Sequence, residues 1–141
     1  MSFLIDTNVI SELARPIPDP RVISFLHETD EDRLFVSVIT LGELRRGVAL
    51  KADGRAKSAL DRWLRNDLYE RFAGRILDIN TEIAEMWGDL MAKAKRQGKV
   101  LPAMDSFLAA TALVHGKTLV TRNVKDFAPF DVPIFNPWTP A

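Results

Sequence analysis

Five polar side chains are the main candidates for chemistry in this chain: Asp6, Glu43, Asp105, Asn123 and Asp126. Three of them follow the ends of predicted strands, and the other two lie near the starts of predicted helices. In a mostly parallel sheet, the ends of strands and the starts of the following helices meet at one edge, where ligands bind. We therefore expect all five side chains to gather there.

Each of these residues also has an ordinary structural explanation. Asp6 is suited to cap the first helix, and the spacing of Thr40 and Glu43 matches a capping box. Asp105 suits the first turn of a helix, where the dipole favours a carboxylate, and the other two are common turn formers. Each explanation is adequate for its residue alone, and for Glu43 it is favoured. Only the shared edge argues for a site.

Several carboxylates at one edge repel one another and remain ionised together only if a cation joins them. Oxygen ligands favour Mg²⁺ or Mn²⁺. Such an ion lowers the pKa of a bound water and stabilises a phosphodiester transition state. This chemistry needs no cysteine, of which the chain has none, and no histidine pair; His27 and His115 do not have metal-ligand spacing.

Composition limits the other possibilities. The chain has 141 residues, 47% of them hydrophobic, which predicts one domain spanning 1–141. Lys and Arg number 19, as do Asp and Glu, so the formal net charge is zero. This argues against gripping nucleic acid by overall charge. We see neither a signal peptide nor a membrane-spanning run, and expect a cytoplasmic protein with no membrane partner.

Strands alternate with helices along the chain, which predicts an α/β fold with a central, mostly parallel sheet flanked by helices. The predicted strands are 3–5, 34–39, 75–79, 118–121 and a short edge strand at 132–135. The predicted helices are roughly 7–14, one that begins at Asp19–Pro20, one that begins at Thr40, then 55–72, 81–97 and 105 to about 114. In the second of these, Val22, Ile23 and Leu26 are expected to face inward.

Four segments of the chain resemble, in order, the motifs of PIN-domain proteins. They are Leu4–Glu12, Ser37–Gly47, Asp105–Ala112 and Thr121–Phe127. A fifth segment, Phe135–Trp138, is similar to the VapC and FitB type of bacterial toxin. Any one of these motifs is weak, but together they span nearly the whole chain.

The resemblance implies a PIN-like fold and a Mg²⁺- or Mn²⁺-dependent endoribonuclease. It implies that Asp6 and Asp105 are the main direct metal ligands. Glu43 would bind the metal directly or through water, or help to position the attacking water. Thr7 and Asn8 would hold the loop and orient Asp6.

The fourth acidic position departs from the family pattern. Some relatives carry Asp where this chain has Asn123, which supplies only a neutral oxygen or a hydrogen bond. Asp126 could make up the charge, and both one-metal and two-metal sites stay open. The neighbouring Arg122 is a candidate contact for an RNA phosphate, although a solvated surface cation is an equally good explanation.

The resemblance also implies partners. Toxins of this kind are usually homodimers paired with a small antitoxin, and they meet operator DNA only through the antitoxin complex. Two alternatives remain. One is a catalytically degenerate PIN fold that binds a partner or is tethered to DNA, which Asn123 keeps open. The other is a phosphatase with Asp6 as nucleophile, although this chain lacks a second aspartate two positions on.

Overall fold

A parallel sheet forms the centre of the protein. The computed structural model describes residues 1–139. The strands are β1 (Phe3–Ile5), β2 (Leu34–Ser37), β3 (Ile76–Leu77), β4 (Thr118–Val120) and β5 (Ile134–Phe135). Their order is β3-β2-β1-β4-β5, and every neighbouring pair is parallel. The predicted α/β class and the mostly parallel sheet are therefore confirmed.

Helices connect the strands and cover both faces of the sheet. They are α1 (Thr7–Leu13), α2 (Pro20–Glu28), α3 (Val38–Leu50), α4 (Arg55–Arg62), α5 (Tyr69–Arg71), α6 (Thr81–Arg96), α7 (Ala103–His115) and α8 (Val124–Phe127). A π-helical segment, Trp63–Leu68, joins α4 to α5. The helix predicted at 55–72 is therefore one continuous helical stretch with a π-helical middle.

The alternation of side chains along β1 divides the core into two halves. Phe3 and Ile5 pack into a cluster with the α1 and α2 side chains, whereas Leu4 packs on the other face with α7. The small residues Ala109 and Ala112 are fully buried and let α7 lie close to the sheet. The central strand is thus buried on both faces, as expected for a parallel sheet.

The boundary between β2 and α3 differs from the prediction. The strand ends at Ser37 instead of residue 39, because the Ser37 hydroxyl accepts a hydrogen bond from the Ile39 amide (3.0 Å) and caps α3. The capping-box interpretation is consequently wrong: Thr40 and Glu43 both lie inside α3, and Thr40 is fully buried. The Glu43 side chain therefore takes no part in capping α3.

Other boundaries shift by smaller amounts. The third strand is shorter than predicted, since only Ile76 and Leu77 pair with β2. The last strand likewise shortens to two residues. Helix α7 begins two residues earlier than predicted, which places Asp105 in its first turn. Ile23, expected to face inward, is 37% exposed because α2 buries only Val22 and Leu26.

No helix within residues 1–139 is both long enough and apolar enough to cross a bilayer. The predicted domain of 1–141 ends two residues beyond the part of the chain that the structure describes.

Candidate active site

A cleft of about 570 Å³ opens at the carboxyl edge of the sheet, beside the ends of β1 and β4. It is lined by every candidate site residue of the sequence analysis except Asp126. The crossover topology explains this gathering, because β1 and β4 are neighbours and α1 and α3 begin at the same edge. Apart from Asp126, the candidate residues therefore lie around one cleft at this edge.

Asp6 is buried and tightly held at the end of β1. Its Oδ1 accepts from the Thr7 amide (2.7 Å), which caps α1. Its Oδ2 accepts from the Thr121 hydroxyl (2.7 Å) and from Asn8 Nδ2 (3.3 Å). The capping role and the site role are thus compatible in one side chain. Hydrogen bonds from three residues fix the direction in which the carboxylate faces the cleft.

Thr7 connects Asp6 to Glu43. Besides its amide bond to Asp6, Thr7 donates through Oγ1 to Glu43 Oε1 (2.6 Å). The same hydroxyl lies 3.2 Å from the hydroxyl of Thr40. Glu43 therefore projects from α3 toward α1, where the Thr7 hydroxyl holds it.

Asp105 projects into the cleft from the first turn of α7 and is half-buried. Burial raises the pKa of Asp105 to about 6, with contributions from the negative charges of Asp6, Glu43 and Asp126. Burial also raises the pKa of Asp6, although its hydrogen bonds from Thr121 and Thr7 oppose this shift. The carboxylates therefore act on one another across a partly desolvated space.

Asn123 immediately precedes α8, and Asp126 lies within that short helix. Asn123 lines the cleft and donates its amide to Thr121 Oγ1 (3.0 Å), while Asp126 donates its amide to the Asn123 carbonyl (3.1 Å). Asp126 is exposed and lies outside the cleft lining, but its charge still raises the pKa of Asp6 and of Asp105. Asp126 thus contributes charge at longer range.

The donor set fits a hard divalent cation. Asp6, Glu43 and Asp105 supply carboxylate oxygens and Asn123 an amide oxygen, the ligand types that Mg²⁺ and Mn²⁺ prefer. Burial and the neighbouring negative charges raise the pKa of Asp6 and of Asp105, and a cation bound between them would offset both effects. Across residues 1–139, however, no group of three acidic or histidine side chains already converges as a metal-binding set. The carboxylates line one cleft, but they are not arranged around a common metal position.

Several residues of the site were not anticipated. Thr121 is fully buried and donates to Asp6, yet no spacing in the sequence connects residues 115 positions apart. Glu12 lines the cleft, is buried, and accepts from the Asp19 amide (2.8 Å). The four-residue spacing of Asn8 and Glu12 on α1 was the available signal, because it places both on one helix face.

The elevated pKa of Asp105 predicts how stability depends on pH without metal. Between its ordinary value of 3.8 and about 6, the folded state binds more protons than the unfolded state, so stability falls as pH rises. Above that range Asp105 destabilises the fold, although solvent around the half-buried group weakens the effect. In EDTA near neutral pH, Asp105→Asn should raise the melting temperature by roughly 2–5 °C.

The matched control is Asp67→Asn, an exposed aspartate outside the cleft. It should leave the melting temperature unchanged. Thermal unfolding followed by circular dichroism from acid to neutral pH measures both variants. An unchanged or lower melting temperature for Asp105→Asn would show that Asp105 is not strained by burial and charge.

Comparison with known proteins agrees with this architecture. The PIN domain model matches residues 3–131. Toxin FitB of Neisseria gonorrhoeae is 42% identical over 135 residues, covering 96% of this chain and 97% of FitB. VapC ribonuclease Y4jK of Sinorhizobium fredii is 37% identical over 138 residues, covering 98% and 99%. A structure of FitAB bound to an IR36 DNA fragment superposes with a TM-score of 0.91 at 39% identity, covering 99% of this chain and 97% of that one. From its fold, the composition of its cleft and these relatives, the chain belongs to the PIN-domain family.

Proposed function

We propose that this protein is a Mg²⁺- or Mn²⁺-dependent endoribonuclease and the toxin of a toxin–antitoxin pair. The observation that carries the proposal is the cleft lined by Asp6, Glu43 and Asp105, in which burial, together with nearby negative charge, raises the pKa of Asp6 and of Asp105. A relative named as a VapC ribonuclease, 37% identical over almost the full length, supports RNA as the substrate. The cytoplasm is the proposed site of action.

Asp6 and Asp105 would hold the metal directly, and Glu43 directly or through water. When bound, Mg²⁺ or Mn²⁺ supplies Lewis-acid stabilisation of the negative charge that develops on the phosphodiester. The proposed reaction is in-line attack of water on phosphorus, which leaves a 5′-phosphate and a 3′-hydroxyl.

The protein's own contribution is orientation. Asn8 and Thr121 hold Asp6 from one side while the Thr7 amide holds it from the other. The Thr7 hydroxyl engages only Oε1 of Glu43, so Oε2 is available to accept a proton from an attacking water. Groups that fix ligand direction in this way commonly change activity 10- to about 100-fold when they are removed.

A second cavity, of about 790 Å³, lies between α1, α3 and α4 and supports the proposed antitoxin. Its walls include Leu44, Leu60 and Trp63. Thr7 and Glu43 line both this groove and the catalytic cleft, so a peptide segment in the groove reaches the acidic residues. We propose that a small antitoxin binds here, that operator DNA is contacted only through that complex, and that the toxin is a homodimer.

The nuclease proposal predicts metal-dependent cleavage of RNA. The purified chain, freed of any partner, should cleave a mixed RNA pool with Mg²⁺ or Mn²⁺ and not with EDTA. Asp6→Asn and Asp105→Asn remove ligand charge with little change of shape and should each lower the rate at least about 100-fold. Asp67→Asn is the control and should retain the wild-type rate.

Separate outcomes distinguish the alternatives. Equal cleavage by all the variants would assign the activity to a contaminating nuclease and contradict the proposal. Folded wild type that binds Mn²⁺ but cleaves no member of the pool would favour a catalytically degenerate PIN protein, the role that Asn123 keeps open.

The antitoxin proposal predicts a charge-sensitive groove. Ala59 is exposed and lines it, so Ala59→Glu would place an unpaired carboxylate against an apolar partner segment. The affinity for the proposed antitoxin, co-expressed with this chain, should fall at least about tenfold. Ala84→Glu, on the exposed face of α6, should bind as wild type does. Equal binding by both variants, measured by calorimetry, would place the antitoxin elsewhere.

A further inference from the structure

The guanidinium of Arg122 lies over the indole ring of Trp138, with 5.1 Å between its central carbon and the ring centroid. Both residues line the catalytic cleft. Trp138 is 7% exposed, whereas Arg122 is exposed. A buried aromatic surface therefore supports an exposed cation at the mouth of the cleft.

The last strand brings Trp138 to this position. β5 pairs with β4, and the ladder continues through the Thr121 amide, which donates to the Phe135 carbonyl (3.0 Å). The chain then turns, because Asn136 Oδ1 accepts from the Trp138 amide (2.9 Å). This turn delivers the indole next to the residue that follows Thr121. The backbone hydrogen bonds of β4 and β5, and the turn that follows, therefore fix the position of the Arg122–Trp138 contact.

Arg122 is also tied to the acidic centre through its backbone. Its amide donates to Asn8 Oδ1 (3.3 Å), and Asn8 Nδ2 donates to Asp6. Arg122 has no carboxylate within ion-pair distance among residues 1–139. Asp19 is near enough to feel its charge, but Arg21 already holds both oxygens of that carboxylate. The donors of Arg122 therefore remain available to a ligand.

We propose that Trp138 is a positioning residue that holds Arg122 where it binds a phosphate of the single-stranded RNA beside the scissile bond. This inference rests on the proposed nuclease function and adds the way in which the substrate is gripped. Stacking on the indole leaves the guanidinium edge free, and that edge matches a phosphate with two parallel hydrogen bonds. Holding the long side chain in place also reduces the rotamer entropy lost on binding.

The charge of the cleft explains why such a device is needed. An RNA strand must approach a cleft lined by the carboxylates of Asp6, Glu43 and Asp105, in a protein with no net positive charge. A fixed cation at the rim offsets this repulsion near the reacting phosphate. Trp is the strongest aromatic partner for a cation, which accounts for an indole in this position.

The test is a double-mutant cycle with Arg122→Gln, Trp138→Leu and the double variant. Binding of a fluorescein-labelled, randomised single-stranded RNA is measured by anisotropy in EDTA across a salt series, after circular dichroism has shown each protein to be folded. Arg122→Gln should weaken binding and reduce the slope of log Kd against log salt by about 0.7. Trp138→Leu should weaken binding about fivefold, yet have no effect when Arg122 is already Gln.

Milder variants keep the test valid if loss of the indole unfolds the protein. Trp138→Phe retains an aromatic face and should weaken binding less than Trp138→Leu does. Arg122→Lys retains the charge but not the planar fork, and should weaken binding less than Arg122→Gln does.

The outcomes separate the two proposals. If wild type binds RNA but the two substitutions act additively, Trp138 is only structural and the inference is overturned while the nuclease proposal stands. If Arg122→Gln leaves the affinity and the salt slope unchanged, Arg122 does not bind phosphate. The inference is then also overturned, while the nuclease proposal stands. If folded wild type binds no RNA, the proposed function fails and the inference fails with it.

Discussion

Repulsion between partly desolvated carboxylates at the carboxyl edge of the sheet is the constraint on which this site depends. The parallel topology places Asp6, Glu43 and Asp105 around one cleft, and burial together with their mutual charge raises the pKa of Asp6 and Asp105. Such a cluster costs stability unless a cation offsets it. Hydrogen bonds from Thr7 and Thr121 keep Asp6 directed at the cleft despite that cost.

The residues that stabilise the fold here are the same ones to which we assign the proposed chemistry. Asp6 caps α1 and faces the cleft, and Thr7 joins that cap to Glu43 on α3. The last strand similarly completes the sheet and delivers Trp138 to the rim. We therefore expect a substitution at these positions to affect both stability and the proposed activity, so each site variant is paired with a charge-matched or chemically milder control.

The sequence was informative where local pattern decides structure. Alternating strands and helices predicted the α/β class, and the ends of strands predicted which polar residues would share an edge. The capping box at Thr40 and Glu43 was wrong because Ser37 begins the helix three residues earlier, a competition between equivalent capping residues that spacing cannot resolve. Thr121 and Trp138 belong to segments that resemble family motifs, but the sequence predicted no role for either residue, because their contacts join positions that only the sheet order brings together.

The most direct measurement of the central claim is the thermal stability of the wild-type protein during Mn²⁺ titration, near neutral pH and at about pH 5. Cation binding that relieves carboxylate repulsion should raise the melting temperature near neutrality. The rise should be smaller in acid, where Asp105 is protonated, and should be largely lost in Asp105→Asn. A melting temperature that does not change when Mn²⁺ is added, or that rises as much in Asp105→Asn as in the wild type, would contradict the account.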